Sequence, residues 1–232
     1  KRKSLKKKLN IISISKKRQA DIKLLKIKKL EKNYLVSIKV LGNRVHYLIN
    51  NKFIDFIDNL LFCVAVLSIY FKNEILNKKL FLNFKPIDGR GSILKLKVNK
   101  RIIYIIDESY NSNPLSLNFS LKKFNRLKLN DKKKNILLGD MKELGKFSKK
   151  FHVQAASCIN KINVNKVNVY GKYIKFTYNK IKTQKKGKII NSTKEIMELI
   201  KNLNNRDYLL VKGSNSTGLN KIISKLKIKY AL

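Results

Sequence analysis

The octet Asp107-Glu108-Ser109-Tyr110-Asn111-Ser112-Asn113-Pro114 follows a run of apolar, β-favouring residues, Ile102 to Ile106, and precedes an amphipathic segment, Leu115 to Leu127. An apolar strand that breaks into acid, hydroxyl and amide side chains, then re-enters as a helix behind a proline, has the layout of a strand-to-helix loop in an open α/β sheet. Ligands of such sheets gather where the parallel strands end. Turn chemistry alone also favours Asp, Ser and Asn at these positions. Taken by itself, the octet leaves both a ligand-binding loop and an ordinary turn open.

From the strand that leads into the octet onward, the chain keeps one rhythm. Apolar strands are predicted at Ile102–Ile106, Asn135–Leu138, Lys166–Tyr170, Lys188–Ile190 and Tyr208–Val211. Between and after them run amphipathic segments, Leu115–Leu127, Ser148–Ile162, Lys172–Ile181, Thr193–Leu203 and Gly218–Leu226. Strands alternating with helices over short connections predict an α/β fold, a mostly parallel sheet with helices on both faces and right-handed crossovers. Before Ile102 the chain is punctuated by Pro86 and Gly89-Arg90-Gly91-Ser92, a composition that suits a domain boundary. We therefore divide the chain at 1–88 and 89–232. In the first part, Tyr34 to Val40 and Val45 to Ile49 alternate about Gly42-Asn43 and predict a hairpin. Phe53 to Phe71 reads as a buried helix, and Asn73 to Asn83 as a second, short one. The lysine-spaced bursts Ile11–Ile14 and Leu24–Ile27 read as short strands bordering on loop.

Composition bounds the function. With 54 Lys+Arg against 14 Asp+Glu the formal net charge is +40, which raises nucleic-acid or anionic-membrane binding. The lysines are spread over the whole chain, however, and are accompanied by abundant Asn and Ile. Neither the bidentate-Arg pattern nor the stacked-aromatic pattern of sequence readers is present. Compositional drift accounts for the charge better than a nucleic-acid surface does. The longest apolar run, Leu60 to Phe71, falls short of the roughly 20 residues needed to span a bilayer. Lys1 to Lys8 are basic, but no sustained apolar segment follows them, which argues against a secretory signal. Cys63 and Cys158 lie far apart and give neither metal spacing nor a disulfide framework, in keeping with a reducing cytoplasm.

Three collinear segments carry a resemblance. Asp107 to Pro114 resembles the acid-acid-Ser-Tyr-Asn-Ala-Asn-Pro motif of the Mur ligases. Leu137-Leu138-Gly139-Asp140-Met141-Lys142-Glu143-Leu144-Gly145, followed by His152, is similar to the family's Leu-Gly-Asp-Met-x-Glu-Leu-Gly…His signature. Leu210-Val211-Lys212-Gly213-Ser214 resembles its Val-Lys-Gly-Ser strand end. Most closely, these segments resemble the branch of the family that adds D-alanyl-D-alanine to UDP-N-acetylmuramoyl-tripeptide. The resemblance implies a Rossmann-like C-terminal Mur ligase domain over 89–232, preceded by the tail of a central ATP-binding α/β domain over 1–88. It further implies a cytoplasmic, ATP-dependent enzyme of peptidoglycan precursor synthesis, with UDP-MurNAc-tripeptide and D-Ala-D-Ala as substrates and with Mg²⁺. The chain contains no Gly-x-x-x-x-Gly-Lys-Thr-like stretch. The phosphate loop, the metal ligands and the first domain are thus expected upstream of Lys1, in the same or a companion chain. The chain alone is expected to show no ligase turnover.

Site residues follow from the same resemblance. Arg90 corresponds to the family arginine that reaches ATP phosphates, a task suited to a planar, always-charged fork. Glu108, where the family has Asp, is placed on the ATP ribose, with Asp107 beside it. Asn111 and Asn113 either touch the nucleotide or only shape the turn. Asn59 matches an adenine-contacting Asn, although Asp55 stands where the family has His and Leu60-Leu61-Phe62-Cys63 replaces a run of small residues. An N-cap role for Asn59 is equally open. Asp140, Lys212 and Ser214, at converging strand ends, are the candidate catalytic residues, orienting the D-Ala-D-Ala carboxylate and an acyl phosphate. Asn215 and Thr217 replace the family's Arg and Met. His152 is read as a brace for the Asp140 loop rather than a proton carrier. Two other functions stay in view. One is a sibling ligase that adds a different amino acid, or glutamate to folate. The other is a non-catalytic basic remnant that binds nucleotide or nucleic acid.

Overall fold

The structure, a computed structural model, describes residues 11–51, 53–71, 74–84, 87–128 and 133–232. Lys1 to Lys8, Asn73 and Pro86 lie outside the described residues. The chain divides into two compact units, Lys1–Pro86 and Ile87–Leu232.

Among the described residues, the first unit is a four-stranded sheet with one α-helix. Strands β1 (Ile14–Ser15), β2 (Ile22–Lys29), β3 (Asn33–Val40) and β4 (Asn43–Asn50) lie in chain order. β1 runs parallel to β2 and the other pairs are antiparallel. The expected hairpin is present, but its turn is Leu41-Gly42 rather than Gly42-Asn43, since Asn43 already pairs with Val40. Both turn residues have positive φ (48° and 99°), the tight turn whose twist matches the two strands. β2 is a full eight-residue strand where only short bursts were expected. Its alternation was hidden because lysines stand among the apolar residues.

Helix α1 (Ile57–Tyr70) packs Ile57, Leu60, Leu61 and Val64 into the core. It is buried on one side only. Phe62, Val66, Ile69 and Tyr70 are exposed, because the sheet offers the helix a single face to cover. The predicted helix over Asn73–Asn83 is not formed among its described residues. They make one 3-10 turn, Glu74–Leu76, followed by irregular turns. The backbone there closes i→i+3 turns on itself, as in Leu80 N to Asn77 O (3.1 Å), and gives other carbonyls to β4. Leu48 N donates to Lys78 O (2.8 Å), Tyr47 Oη to Ile75 O (2.7 Å) and Asn50 Nδ2 to Leu82 O (3.0 Å). Burial pushes the Tyr47 phenol up to about 12.

The second unit is the predicted α/β sandwich. Its strands are β5 (Ser92–Val98), β6 (Arg101–Glu108), β7 (Lys134–Gly139), β8 (Lys166–Tyr170), β9 (Lys186–Ile190) and β10 (Tyr208–Lys212). They form one sheet in the order β5-β6-β10-β7-β8-β9, parallel except for β5. Helices α2 (Pro114–Arg126), α3 (Ser148–Asn160) and α4 (Ile174–Lys180) cover one face around Leu121, Phe124, Ile159 and Val167. Helices α5 (Thr193–Lys201) and α6 (Leu219–Tyr230) cover the other around Leu137, Ile196, Leu209 and Ile223. Strand β5 was missed in the sequence, where Lys95 and Lys97 interrupt its apolar alternation. These lysines point outward from an edge strand and discourage pairing with other chains.

One feature of the topology places the site. Chain progress from β6 through β9 runs in one direction with its helices on one face. Then α5 returns on the opposite face and β10 slots between β6 and β7. The loops leaving β6 and β7 therefore turn toward one face and the loop leaving β10 toward the other. A crevice opens at that switch point, beyond the carboxyl ends of the strands.

Candidate active site at the carboxyl edge of the sheet

β10 ends level with β6, Lys212 opposite Glu108, and its other neighbour is β7, which runs into Asp140 one residue past its end. The three residues expected to share an edge do share it, but their side chains have different duties. Lys212 is 2% exposed, and its ammonium donates to Asn111 O at 2.8 Å and stands 3.5 Å from Glu108 Oε2. Burial pushes its pKa down, the Glu108 carboxylate opposes that shift, and the Arg90 charge adds to it. A buried cation joined to a loop carbonyl fixes that loop against β10.

The loop itself is braced from within. Asp107, buried, accepts from Ser109 N (3.1 Å) and from the Ser109 hydroxyl. Asn111 Oδ1 accepts from Ser112 N at 2.7 Å. Asn113 is the N-cap of α2 in a reciprocal arrangement: its Oδ1 accepts from Ser116 N (2.8 Å), and its own N donates to Ser116 Oγ (3.0 Å), with Pro114 next. Of the two readings open for Asn111 and Asn113, the turn-shaping one is visible directly. Glu108 keeps an accessible carboxylate, beside which Gly91 places bare backbone.

Arg90 is exposed, with its guanidinium 4.4 Å from the centre of the Tyr110 ring. Gly89 beneath it has φ +80°, and a Cβ there would lie 2.9 Å from Tyr110 Cβ, so only glycine lets these two backbone segments approach this closely. Arg90 and Tyr110 thus form an exposed wall beside the part-buried Glu108 carboxylate. Asn59, an exposed residue of α1, belongs to the first unit, and the N-cap of that helix is Phe56.

Asp140, buried, spends its carboxylate on the loop after β8. Oδ1 accepts from Ile174 N at 2.8 Å and Oδ2 from Lys172 N at 3.2 Å, while Lys142 Nζ stands 3.6 Å from Oδ2. Gly171, with φ +137°, leaves the space this carboxylate fills. Ser214 is a third tie. Its Oγ accepts from Lys142 N (2.8 Å) and donates to Ser112 O (3.3 Å), and its own N donates to Asp140 O (3.0 Å). Lys212, Asp140 and Ser214 together fasten four loops into one rim.

His152 holds the rim from behind. It is fully buried, its Nε2 accepts from Met141 N at 3.0 Å, and its Nδ1 lies 2.8 Å from Ser148 O, which assigns the neutral tautomer protonated at Nδ1. Burial pushes its pKa below the usual histidine value. Because the folded-state value lies below the unfolded one, the neutral ring's contribution is complete above the ordinary histidine range and is lost as pH falls through the lowered value. On going from pH 7.5 to pH 5, melting temperature is expected to fall more steeply for the wild type than for His152→Gln. Parallel slopes would show that this ring is not the titrating brace.

Two hollows flank Lys142. One, about 530 Å³, is lined by Tyr110, Asn111, Lys142, Glu143, Ser214 and Lys221 among others. The second, about 450 Å³, includes Asp140, Lys142, Tyr170, Lys172, Lys175 and Thr217. Lys142, Lys172 and Lys175 were not singled out in the sequence, since each is one lysine among many. Only Lys142, inside the Gly-Asp-Met-Lys-Glu segment, carried a usable signal. Among the described residues no group of His, Cys, Asp and Glu could hold a metal ion.

Residues 89–215 match the model of the Mur ligase glutamate ligase domain. The chain belongs to the Mur ligase family. It is 28% identical over 201 residues to the UDP-N-acetylmuramoyl-tripeptide--D-alanyl-D-alanine ligase of Rickettsia prowazekii (strain Madrid E), covering 82% of this chain and 43% of that protein. The enzyme of the same name from Bacillus subtilis (strain 168) is 29% identical over 140 residues, 59% of this chain and 30% of that one. The chain thus spans less than half the length of these curated relatives. In fold, this Mur ligase chain resembles MurF ligase from Thermotoga maritima in complex with ADP (TM-score 0.69, 20% identity, 98% of this chain and 51% of that one). It likewise resembles MurF from Acinetobacter baumannii (TM-score 0.72, 17% identity, 97% and 48%). No helix among the described residues is long and apolar enough to cross a membrane.

Proposed function

We propose that this Mur ligase chain is part of an ATP-dependent enzyme that joins D-alanyl-D-alanine to UDP-N-acetylmuramoyl-tripeptide. The observation that carries this reading is the pair of hollows at one sheet edge with Lys142 common to both. A ligase must bring an activated carboxylate and an amine together, and two adjoining hollows with a shared cation are suited to two reactants. The wall of Arg90, Tyr110 and Glu108 would receive the nucleotide, the guanidinium toward phosphate and the carboxylate toward ribose hydroxyls. In the other hollow, exposed Lys142, Lys172 and Lys175 would hold the dipeptide carboxylate. Lys212, Asp140 and Ser214 act from behind this surface, because their polar groups are already engaged with loop backbone. Their task is to keep the donors aimed at the place where charge develops. The described residues do not fit a Mg²⁺ site, so no step is assigned to the metal here.

The test is phosphate release by the full-length protein from ATP and UDP-MurNAc-tripeptide, with D-Ala-D-Ala, single amino acids, or glutamate and folate offered in turn. Turnover only with the dipeptide is expected, and none from this chain alone. Glutamate-supported turnover would move the assignment to a folate-type sibling. Silence with every acceptor, alongside tight salt-sensitive retention of DNA, would replace it with a basic binding module.

A further inference from the structure

A further hollow lies at the opposite edge of the sheet from the rim of Lys212 and Ser214. It encloses about 620 Å³ beside the amino-terminal halves of β7, β8 and β9 and the end of α5, a size typical of small-molecule sites. Its floor is polar. Asn135 and Asn168 project from β7 and β8 on the face that carries Leu137, and both are buried. Asn168 is fully employed: its Nδ2 donates to Ile136 O at 3.2 Å and its Oδ1 accepts from Lys188 N at 2.8 Å, bridging the register shift between β8 and β9. Asn135 is not. It is 7% exposed, it lines the hollow, and its side-chain amide has no hydrogen-bond partner among the described residues.

That amide faces the hollow, so its donor and its acceptor are open to whatever occupies it. Leu199 and Leu203 form the adjacent wall. Lys133 and Lys188 stand exposed in its lining, while Lys166 Nζ donates to Gln184 O (3.3 Å) and Lys186 Nζ lies 5.4 Å from the centre of the Tyr178 ring. The one carboxylate in the lining, Asp207, is already committed, its two oxygens accepting from Lys133 N and Asn204 N (3.0 Å each). Positive charge at the mouth, a donor–acceptor pair without a protein partner on the floor and an apolar wall describe one kind of ligand. Its anionic end is phosphate, since lysines contact phosphate as point charges. Its other end is flat, apolar on its faces and hydrogen-bonding at its edge.

We propose that this hollow binds a nucleoside monophosphate, with the base edge on the Asn135 amide, its face on Leu199 and Leu203, and the phosphate among the lysines. This site is separate from the rim assigned to ligation, because its lining comes from the other ends of the same strands.

The test is NMR titration of the whole chain with adenosine or uridine 5′-monophosphate, and with inorganic phosphate for comparison. The Asn135 side-chain amide and the Gly187 backbone are expected to shift, with Asn135→Leu and Lys188→Glu each weakening binding about tenfold. Lys188 is exposed, so Lys188→Glu remains informative should the core variant fail to fold. Three outcomes would overturn the proposal: shifts confined to residues near Arg90 and Tyr110, equal affinity for inorganic phosphate, or unchanged nucleotide affinity in both variants.

Discussion

Lys212→Met in the full-length protein is expected to lower kcat/KM for ligation by about 10²- to 10³-fold, the scale for losing one group that aligns transition-state donors. Its melting temperature should move by only a few degrees. The two effects separate for a physical reason. Methionine fills nearly the same volume, and removing a buried cation removes its desolvation cost along with its contacts. What the variant loses is the bond to Asn111 O and the charge beside Glu108. The loop before α2 would then settle without its link to β10, and the Arg90–Tyr110 wall would shift with it. Steady-state kinetics and calorimetry on the same preparation decide the matter. A large fall in stability with activity merely proportional to folded protein would show that Lys212 is a packing residue and nothing more.

Asp140→Ala is expected to do the reverse, cutting stability first. Two backbone N–H groups, those of Lys172 and Ile174, would lose a buried charged acceptor, and bonds to charged groups are worth about 1.5–3 kcal/mol each. Allowing for water entering at Lys172, about 2–4 kcal/mol is a reasonable net loss. Asp140→Asn, which keeps one good acceptor, should recover roughly half of it. Amide hydrogen exchange at residues 172–176 is the sharper reading, because fraying should begin at the start of α4. Unchanged protection there would show that the carboxylate is free for another role, including direct contact with substrate.

The order of strands and helices in the second unit was legible because its apolar runs are long and its punctuation regular. The strand ends near Glu108, Asp140 and Lys212 could be placed on one edge from alternation alone. Which of their atoms face outward could not. That depends on neighbours distant in sequence: Lys212 meets Asn111, Asp140 meets Ile174, and Ser214 meets Lys142 and Ser112. The exposed cations that line the hollows were concealed by composition, since Lys142, Lys172 and Lys175 look like every other lysine. Strand β5 and most of β2 were concealed for the same reason, with lysines inserted between the apolar residues that define them. In the first unit the segment beyond α1 read as helix by its apolar spacing. Donors along β4 claimed several of its carbonyls instead.

The reciprocal cap at Asn113 and Ser116 and the internal bonds of Asp107 and Asn111 have one consequence for association. The loop has surrendered its conformational entropy during folding, long before any nucleotide arrives. Docking there then resembles a key meeting a cut lock, and the heat-capacity change on binding should be as small as the modest apolar area being covered.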